Sequence, residues 1–331
     1  MGMLDGRVAV VTGSGRGIGR GIAMALAAEG AKVVVNDLGA TLDGQGEEKA
    51  PADQVVDEIL THGGAAVANY GSVADWDQAH AMIDQAVEAF GRIDILVNVA
   101  GILRDRMLFN MTEAEWDAVI AVHLKGMFNC TQAASVKFRE QRYGRVISMS
   151  SVSALGSAGQ PNYGAAKAGI LGLTRSTANA MGRYNVTANA ILPSGATRMI
   201  DSTPRAREEF ERTGVWPSEA AKGTERDPDN VAPLVTYLAS EQAGHVNGQA
   251  FHSWGFGYTL LAQPTPVRRL EGDRRLTPDE IARHFDETLG ANLRPPPGLD
   301  FGKGLSERPP DEWTELTSGL RFWKSQWEEP K

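Results

Sequence analysis

The chain has 331 residues, a length that suits one large α/β domain with an appendage, or two small domains. Its formal net charge of −8, from 33 basic and 41 acidic side chains, argues against a nucleic-acid surface, which should be basic. The single cysteine, Cys130, cannot form an internal disulfide, and no run approaches the roughly 20 apolar residues of a membrane span. The first apolar run, Arg7 to Thr12, belongs to the fold and leaves no room for a signal peptide, so the expected location is cytoplasmic.

Val8 to Val11 is a short, wholly apolar run rich in β-branched residues, as for a strand covered on both faces. A glycine-rich turn follows, then Ile18 to Glu29 with helical apolar spacing and Gly30 as the stop. Val33 to Val35 is the second strand, after which residues 38–50 form a polar loop longer than a usual βα connection. Residues 51–62 and 75–90 read as helices around a strand at 65–70, and Ile95 to Val97 is the fourth strand. A helical stretch covers 112–141, opened by Thr112 and Glu115 as a capping box. A fifth strand at 146–149, a helix at 161–182, a sixth strand at 186–192, a helix at 228–240 and a last strand at 248–252 complete the series. Strands alternating with helices imply a doubly wound, parallel sheet with ligands beyond the carboxyl ends of its strands.

Residues 1–262 therefore read as one α/β ligand-binding domain, and 263–331 as a C-terminal extension of another kind. Nine of the sixteen prolines lie from residue 264 on, with Trp313, Trp323 and Trp327. We expect an arm that packs on the body or on a neighbouring subunit, with one helix at 277–289 capped by Thr277.

Four groups of residues suggest chemistry. Thr12-Gly13-Ser14-Gly15-Arg16-Gly17-Ile18-Gly19 lies between a strand and a helix, where glycines let the backbone approach a pyrophosphate. Asp37 closes the second strand, where a carboxylate accepts from ribose hydroxyls and repels a 2′-phosphate, favouring NAD over NADP. Arg16 argues the other way, since a guanidinium could serve that phosphate. Ser72 and Val73, past the third strand, are placed beside the cofactor too. Asn98, Ala100 and Gly101 end the fourth strand with small residues that leave room for a ligand, although Asn98 can equally tie strands together. Tyr163 and Lys167 stand four residues apart on one helix face, after Ser150 and Ser151. Alone the pair is a common coincidence; beside these other groups it becomes a proton-transfer centre in which the lysine lowers the phenol's pKa. No Cys/His cluster has zinc spacing, and no metal is expected.

Taken together these motifs resemble the short-chain dehydrogenase/reductase family over residues 5–255: Thr-Gly-x-x-x-Gly-x-Gly at 12–19, Asn-x-Ala-Gly at 98–101, Tyr-x-x-x-Lys at 163–167 and Pro-x-Gly at 193–195. The resemblance implies a Rossmann-like sheet of about seven strands and hydride transfer between nicotinamide and a carbinol or carbonyl carbon. It implies that Tyr163 is the acid/base, that Lys167 also bonds the nicotinamide ribose, that a strand-end serine steadies the substrate oxygen, and that Thr197 contacts the carboxamide. Spacing from the tyrosine selects Ser150; the local pattern selects Ser151, which we take. His123 stands where the family commonly has a proton-relaying Asn, and its part in that relay is open.

Stretches 33–39, 101–107, 122–126 and 159–163 are similar to the dehydrogenase unit of type 2 peroxisomal multifunctional enzymes and bacterial relatives, which implies a 3-hydroxyacyl-CoA or steroid-like substrate. The alternatives are an NADPH-dependent 3-oxoacyl carrier-protein reductase and, more distantly, a non-catalytic nucleotide-binding protein. The resemblance also implies a homo-oligomer, dimer or tetramer, paired through helices 112–141 and 161–182.

Overall fold

Strands rich in β-branched residues alternate with helices in a computed structural model of the chain, which describes residues 2–40, 45, 50–201, 203–291 and 293. The chain divides into two units, Met1–Leu261 and Ala262–Lys331. In the first, β1 (Val8–Thr12), β2 (Lys32–Asn36), β3 (Ala65–Asn69), β4 (Ile95–Asn98), β5 (Gly144–Met149), β6 (Val186–Pro193) and β7 (Ala250–Trp254) are parallel, ordered β3-β2-β1-β4-β5-β6-β7. An eighth strand, β8 (Gly257–Leu260), adds antiparallel to β7 and was not expected. It is four residues long and only partly covered, so it carries no strong strand pattern; Gly255, at φ +56°, makes the turn that returns it.

Each strand alternates its side chains between two helical layers. From β1, Ala9 and Val11 pack with Ile22 and Leu26 of α1 (Gly17–Ala28) and with Val55 and Ile59 of α2 (Ala50–Thr61). Val8 and Val10 pack on the opposite face with Met82 and Ile83 of α3 (Trp76–Phe90). That double burial explains why the strands read as unbroken apolar runs.

The stretch at 112–141 is not one helix. α4 (Glu113–Ile120), opened by the Thr112/Glu115 capping box, passes through a π turn at Ala121–Lys125 into α5 (Gly126–Gln141). The Gly126 N–H reaches back five residues to the Ala121 carbonyl, so one extra residue is accommodated. Beyond β5 lies α6 (Pro161–Met181), with proline in its first turn. Residues 198–220 hold three helices, α7 (Arg198–Asp201), α8 (Pro204–Thr213) and α9 (Pro217–Ala220), before α10 (Ala232–Ala239).

In the second unit α11 (Pro278–Phe285) has Thr277 as N-cap and is shorter than the expected 277–289. Trp313, Trp323 and Trp327, and residues 41–44 and 46–49 of the polar loop, lie outside the described residues.

Phe138 of α5 is fully buried beneath β4 and β5. Phe138→Ala should cost about 3–5 kcal/mol in urea unfolding; a change within experimental error would show that this layer does not carry stability.

Candidate active site

The chain runs from β1 outward to β3, then returns across the sheet to β4, so the carboxyl ends of β1 and β4 part into a crevice. A cleft of about 460 Å³ opens there, within the usual range for cofactor sites. Gly13, Arg16, Gly17, Ile18 and Gly19 line it together with Asp37, Ser72, Val73, Ala100, Gly101, His123, Tyr163, Lys167 and Thr197. Residues spread over 185 positions of sequence thus meet in one place, because the strand ends and the helices that follow them converge there.

The glycine turn is shaped by close backbone approach. A Cβ at Gly13, whose φ is +61°, would lie 2.7 Å from Ala100 Cα, and one at Gly19 would lie 2.1 Å from the Gly13 carbonyl oxygen. Thr12 Oγ1 accepts from the N–H groups of Val99 and Ala100 at 3.0 and 3.2 Å, binding the ends of β1 and β4 together. Asp37 is held by main chain: Oδ2 accepts from the Gly15 N–H and Oδ1 from the Gly39 N–H, both at 2.8 Å. The sequence reading named the glycines as room for a pyrophosphate but missed that Gly15 fixes the carboxylate. A dinucleotide therefore fits this wall: a glycine turn that side chains would crowd, at the N-terminus of α1, then an oriented carboxylate.

Asn98 is placed differently. Its Nδ2 donates to Ser148 Oγ at 3.2 Å and Thr131 Oγ1 at 3.3 Å, tying β4 to β5 and α5, and it is not part of the cleft wall. Of its two readings, the strand-tying amide is the one the geometry contains.

The two serines differ in their partners, and Ser150 lines the cleft. Ser150 Oγ is buried and donates to the Lys167 carbonyl at 2.8 Å. Ser151 is close enough to the Tyr163 phenol to lower its pKa, and its Oγ accepts from the Ser153 N–H at 3.2 Å. Lys167 Nζ donates to the Met149 carbonyl at 2.7 Å and lies 5.2 Å from the centre of the Tyr163 ring.

Electrostatically the pair departs from the expectation that lysine lowers the phenol's pKa. Burial is the leading influence on both groups: it pushes Tyr163 up to about 12, against the influence of Ser151, and Lys167 down to about 7. One Nζ donor goes to a carbonyl and none to the phenol, so no bond between the two groups offsets their desolvation.

His123 is buried, with Nε2 at 3.0 Å from the Ile102 nitrogen and 2.8 Å from its carbonyl oxygen. Its ring meets that of Tyr163 edge-on at 5.1 Å. Burial, then the Lys167 charge, hold its pKa well below the usual value, so the imidazole is neutral.

With this geometry in place, comparison with known proteins assigns the class. The short chain dehydrogenase family model matches residues 7–209, and the chain belongs to that family of oxidoreductases. The peroxisomal multifunctional enzyme type 2 of Drosophila melanogaster is 49% identical over 238 residues, 72% of this chain but 37% of that one. This chain thus spans little more than a third of that relative's length. Hydroxyacyl-CoA dehydrogenase ChsB1 of Mycobacterium tuberculosis is 43% identical over 283 residues, 82% of this chain and 84% of that one. A solved 7α-hydroxysteroid dehydrogenase, in complex with NADH and 7-oxo glycochenodeoxycholic acid, superposes with a TM-score of 0.66 at 28% identity, covering 77% of this chain and 94% of that one. Among the described residues no helix is long and apolar enough to cross a membrane, and no group of three His, Cys, Asp or Glu side chains could hold a metal.

Because Lys167 folds with a pKa near 7 against an ordinary 10.5, the unfolded chain binds one more proton between those values, and stability rises with pH across that window. Lys167→Met removes this dependence. Its advantage over the wild type in urea unfolding should be greatest at pH 7 and shrink toward pH 10, by at most about 1.4 kcal/mol per pH unit. A difference that stays constant with pH would mean that the amine is not desolvated.

Proposed function

We propose that the chain is an NAD-dependent dehydrogenase of a secondary alcohol, a 3-hydroxyacyl-CoA or a steroid-like carbinol, with Tyr163 as acid/base. The observation that carries this reading is that Tyr163 and Lys167 stand on the wall of one cleft shared with the glycine turn and Asp37, with Ser151 close enough to the phenol to lower its pKa. The nicotinamide takes or gives the hydride at the carbinol carbon, while the proton on the substrate oxygen moves to or from Tyr163 Oη. Ser151 steadies that oxygen, and Lys167 supplies the positive charge that a phenolate needs. His123, neutral and bonded to the Ile102 backbone, holds the cleft wall and the Tyr163 ring rather than exchanging charge near pH 7. Thr197 lies beside Gly17, where it can meet the carboxamide end of the cofactor.

The substrate class rests on the relatives and on the connection from β4 to α4, which carries Ile102 and Arg104 of the cleft wall and on which Leu108 and Phe109 are 71% and 79% exposed, a surface suited to a bulky, partly apolar molecule. Arg16, on the same cleft wall, favours the second reading, an NADPH-dependent 3-oxoacyl carrier-protein reductase. A homo-oligomer is supported by exposed Phe128 and Val136 on α5 and by the exposed small residues Ala165, Ala168 and Gly172 on α6. The lone Cys130, buried with its thiol pushed up to about 12, suits a reducing compartment such as the cytoplasm.

Tyr163→Phe should lower turnover about 10²- to 10⁴-fold with NADH affinity retained; unchanged turnover would remove the tyrosine from the mechanism. Since burial raises the phenol's pKa, alcohol oxidation should quicken as pH rises from 7 to 10, while ketone reduction, which uses the protonated phenol, should stay level across that range. Asp37→Ala should raise kcat/KM with NADP relative to NAD; if NADP already serves the wild type better, the carrier-protein reductase reading takes over.

A further inference from the structure

Arg104, Asp105 and Arg106 lie on the loop from β4 to α4, and the backbone around them is pinned on both sides. The Arg104 carbonyl accepts from Asn162 Nδ2 at 3.0 Å, and the Arg106 N–H donates to the Gly159 carbonyl at 2.8 Å. Asn162 is fully buried, and its Oδ1 accepts from the Tyr163 N–H at 2.7 Å. One amide therefore separates the main chain of Arg104 from that of the tyrosine.

Two of the three ionic side chains have protein partners. Asp105 accepts from Gln160 Nε2 at 2.7 Å, and Arg106 pairs with Glu115 at 2.8 Å. The Arg104 guanidinium has none among the described residues: its Nε is buried without a hydrogen bond, and the side chain stands on the wall of the cleft that holds Tyr163 and Lys167. A guanidinium carries five donors and no acceptor, so what relieves it is an acceptor oxygen. Leaving a buried charged donor unmade costs more than a typical bond gains, and the pinned loop holds the group in place for an incoming partner.

A plain secondary alcohol brings one oxygen, which Tyr163 and Ser151 occupy. A 3-hydroxyacyl thioester brings a second, the thioester carbonyl, two carbons from the reacting centre. We propose that Arg104 is a substrate-binding residue that donates to this second oxygen and so selects 3-hydroxyacyl and 3-oxoacyl thioesters over simple alcohols and ketones. The inference rests on the dehydrogenase reading above and names the group that would narrow its substrate.

The test compares the wild type with Arg104→Met and Arg104→Lys, using acetoacetyl-CoA and a plain methyl ketone with NADH. Arg104→Met should raise KM for acetoacetyl-CoA about 10- to 100-fold, the loss of one hydrogen bond to a charged donor. The loss on the ketone should be at least about tenfold smaller. Arg104→Lys, which keeps a cation on the same loop, should fall between and serves if the methionine variant does not fold. Equal losses on both substrates, or no loss, would overturn the assignment; weaker NADH binding in a fluorescence titration would instead give Arg104 to the cofactor and overturn it too. If the wild type reduces neither compound, the hydroxyacyl-CoA half of the proposed function fails, and calorimetric binding of acetoacetyl-CoA to wild type and variant still decides the role of Arg104.

Discussion

A reciprocal pair of hydrogen bonds between α6 and the end of β5 sets the geometry of the cleft. Lys167 Nζ donates to the Met149 carbonyl, and Ser150 Oγ donates back to the Lys167 carbonyl. Together they fix both the height and the rotation of α6 against the sheet. Tyr163, one turn earlier on the same helix face, is thereby presented to Ser151. Of the neighbouring serines, Ser150 locks the helix, and Ser151 is the one beside the phenol. The buried Asn162 adds a second lock, because its amide joins the first turn of α6 to the carbonyls of Arg104 and Glu115.

The same burial that gives this rigidity works against ionisation. An amine and a phenol are both held away from water, and each is biased toward its neutral form. A site of this kind is costly to fold and reluctant to charge until an ion or dipole arrives to offset the desolvation. In the proposed reaction, binding and proton transfer are therefore coupled through solvent exclusion, not only through the distance between the two side chains.

Much of this was legible in the sequence, for physical reasons. Strands buried on both faces must be apolar throughout, so Val8 to Val11 and Val33 to Val35 declared themselves. Tight backbone approach demands glycine, so Gly13 and Gly19 marked the turn. Local spacing placed Tyr163 and Lys167 on one helix face. What was not legible is non-local. No pattern in the chain says that Ser150 bonds a carbonyl on α6, that Asp37 accepts from Gly15, or that Asn98 spends its amide on Ser148. The π turn was hidden because its residues keep helical composition, and β8 because four partly covered residues make no periodicity.

That π turn has a consequence for how the chain can change in length. Its amino-terminal side contributes Ala118, Ala121, Val122 and His123 to the cleft, while its carboxyl-terminal side sends Cys130, Ala134 and Phe138 into the core. An α-helix rotates about 100° per residue, so the two faces agree only while the extra residue is present. Deleting one residue between 121 and 125 would restore unbroken α-helical bonding and yet swing His123 off the Ile102 backbone. Local helix energy and cleft geometry thus pull in opposite directions at this point, and among single-residue indels a loss here should be tolerated far less well than one in a surface loop.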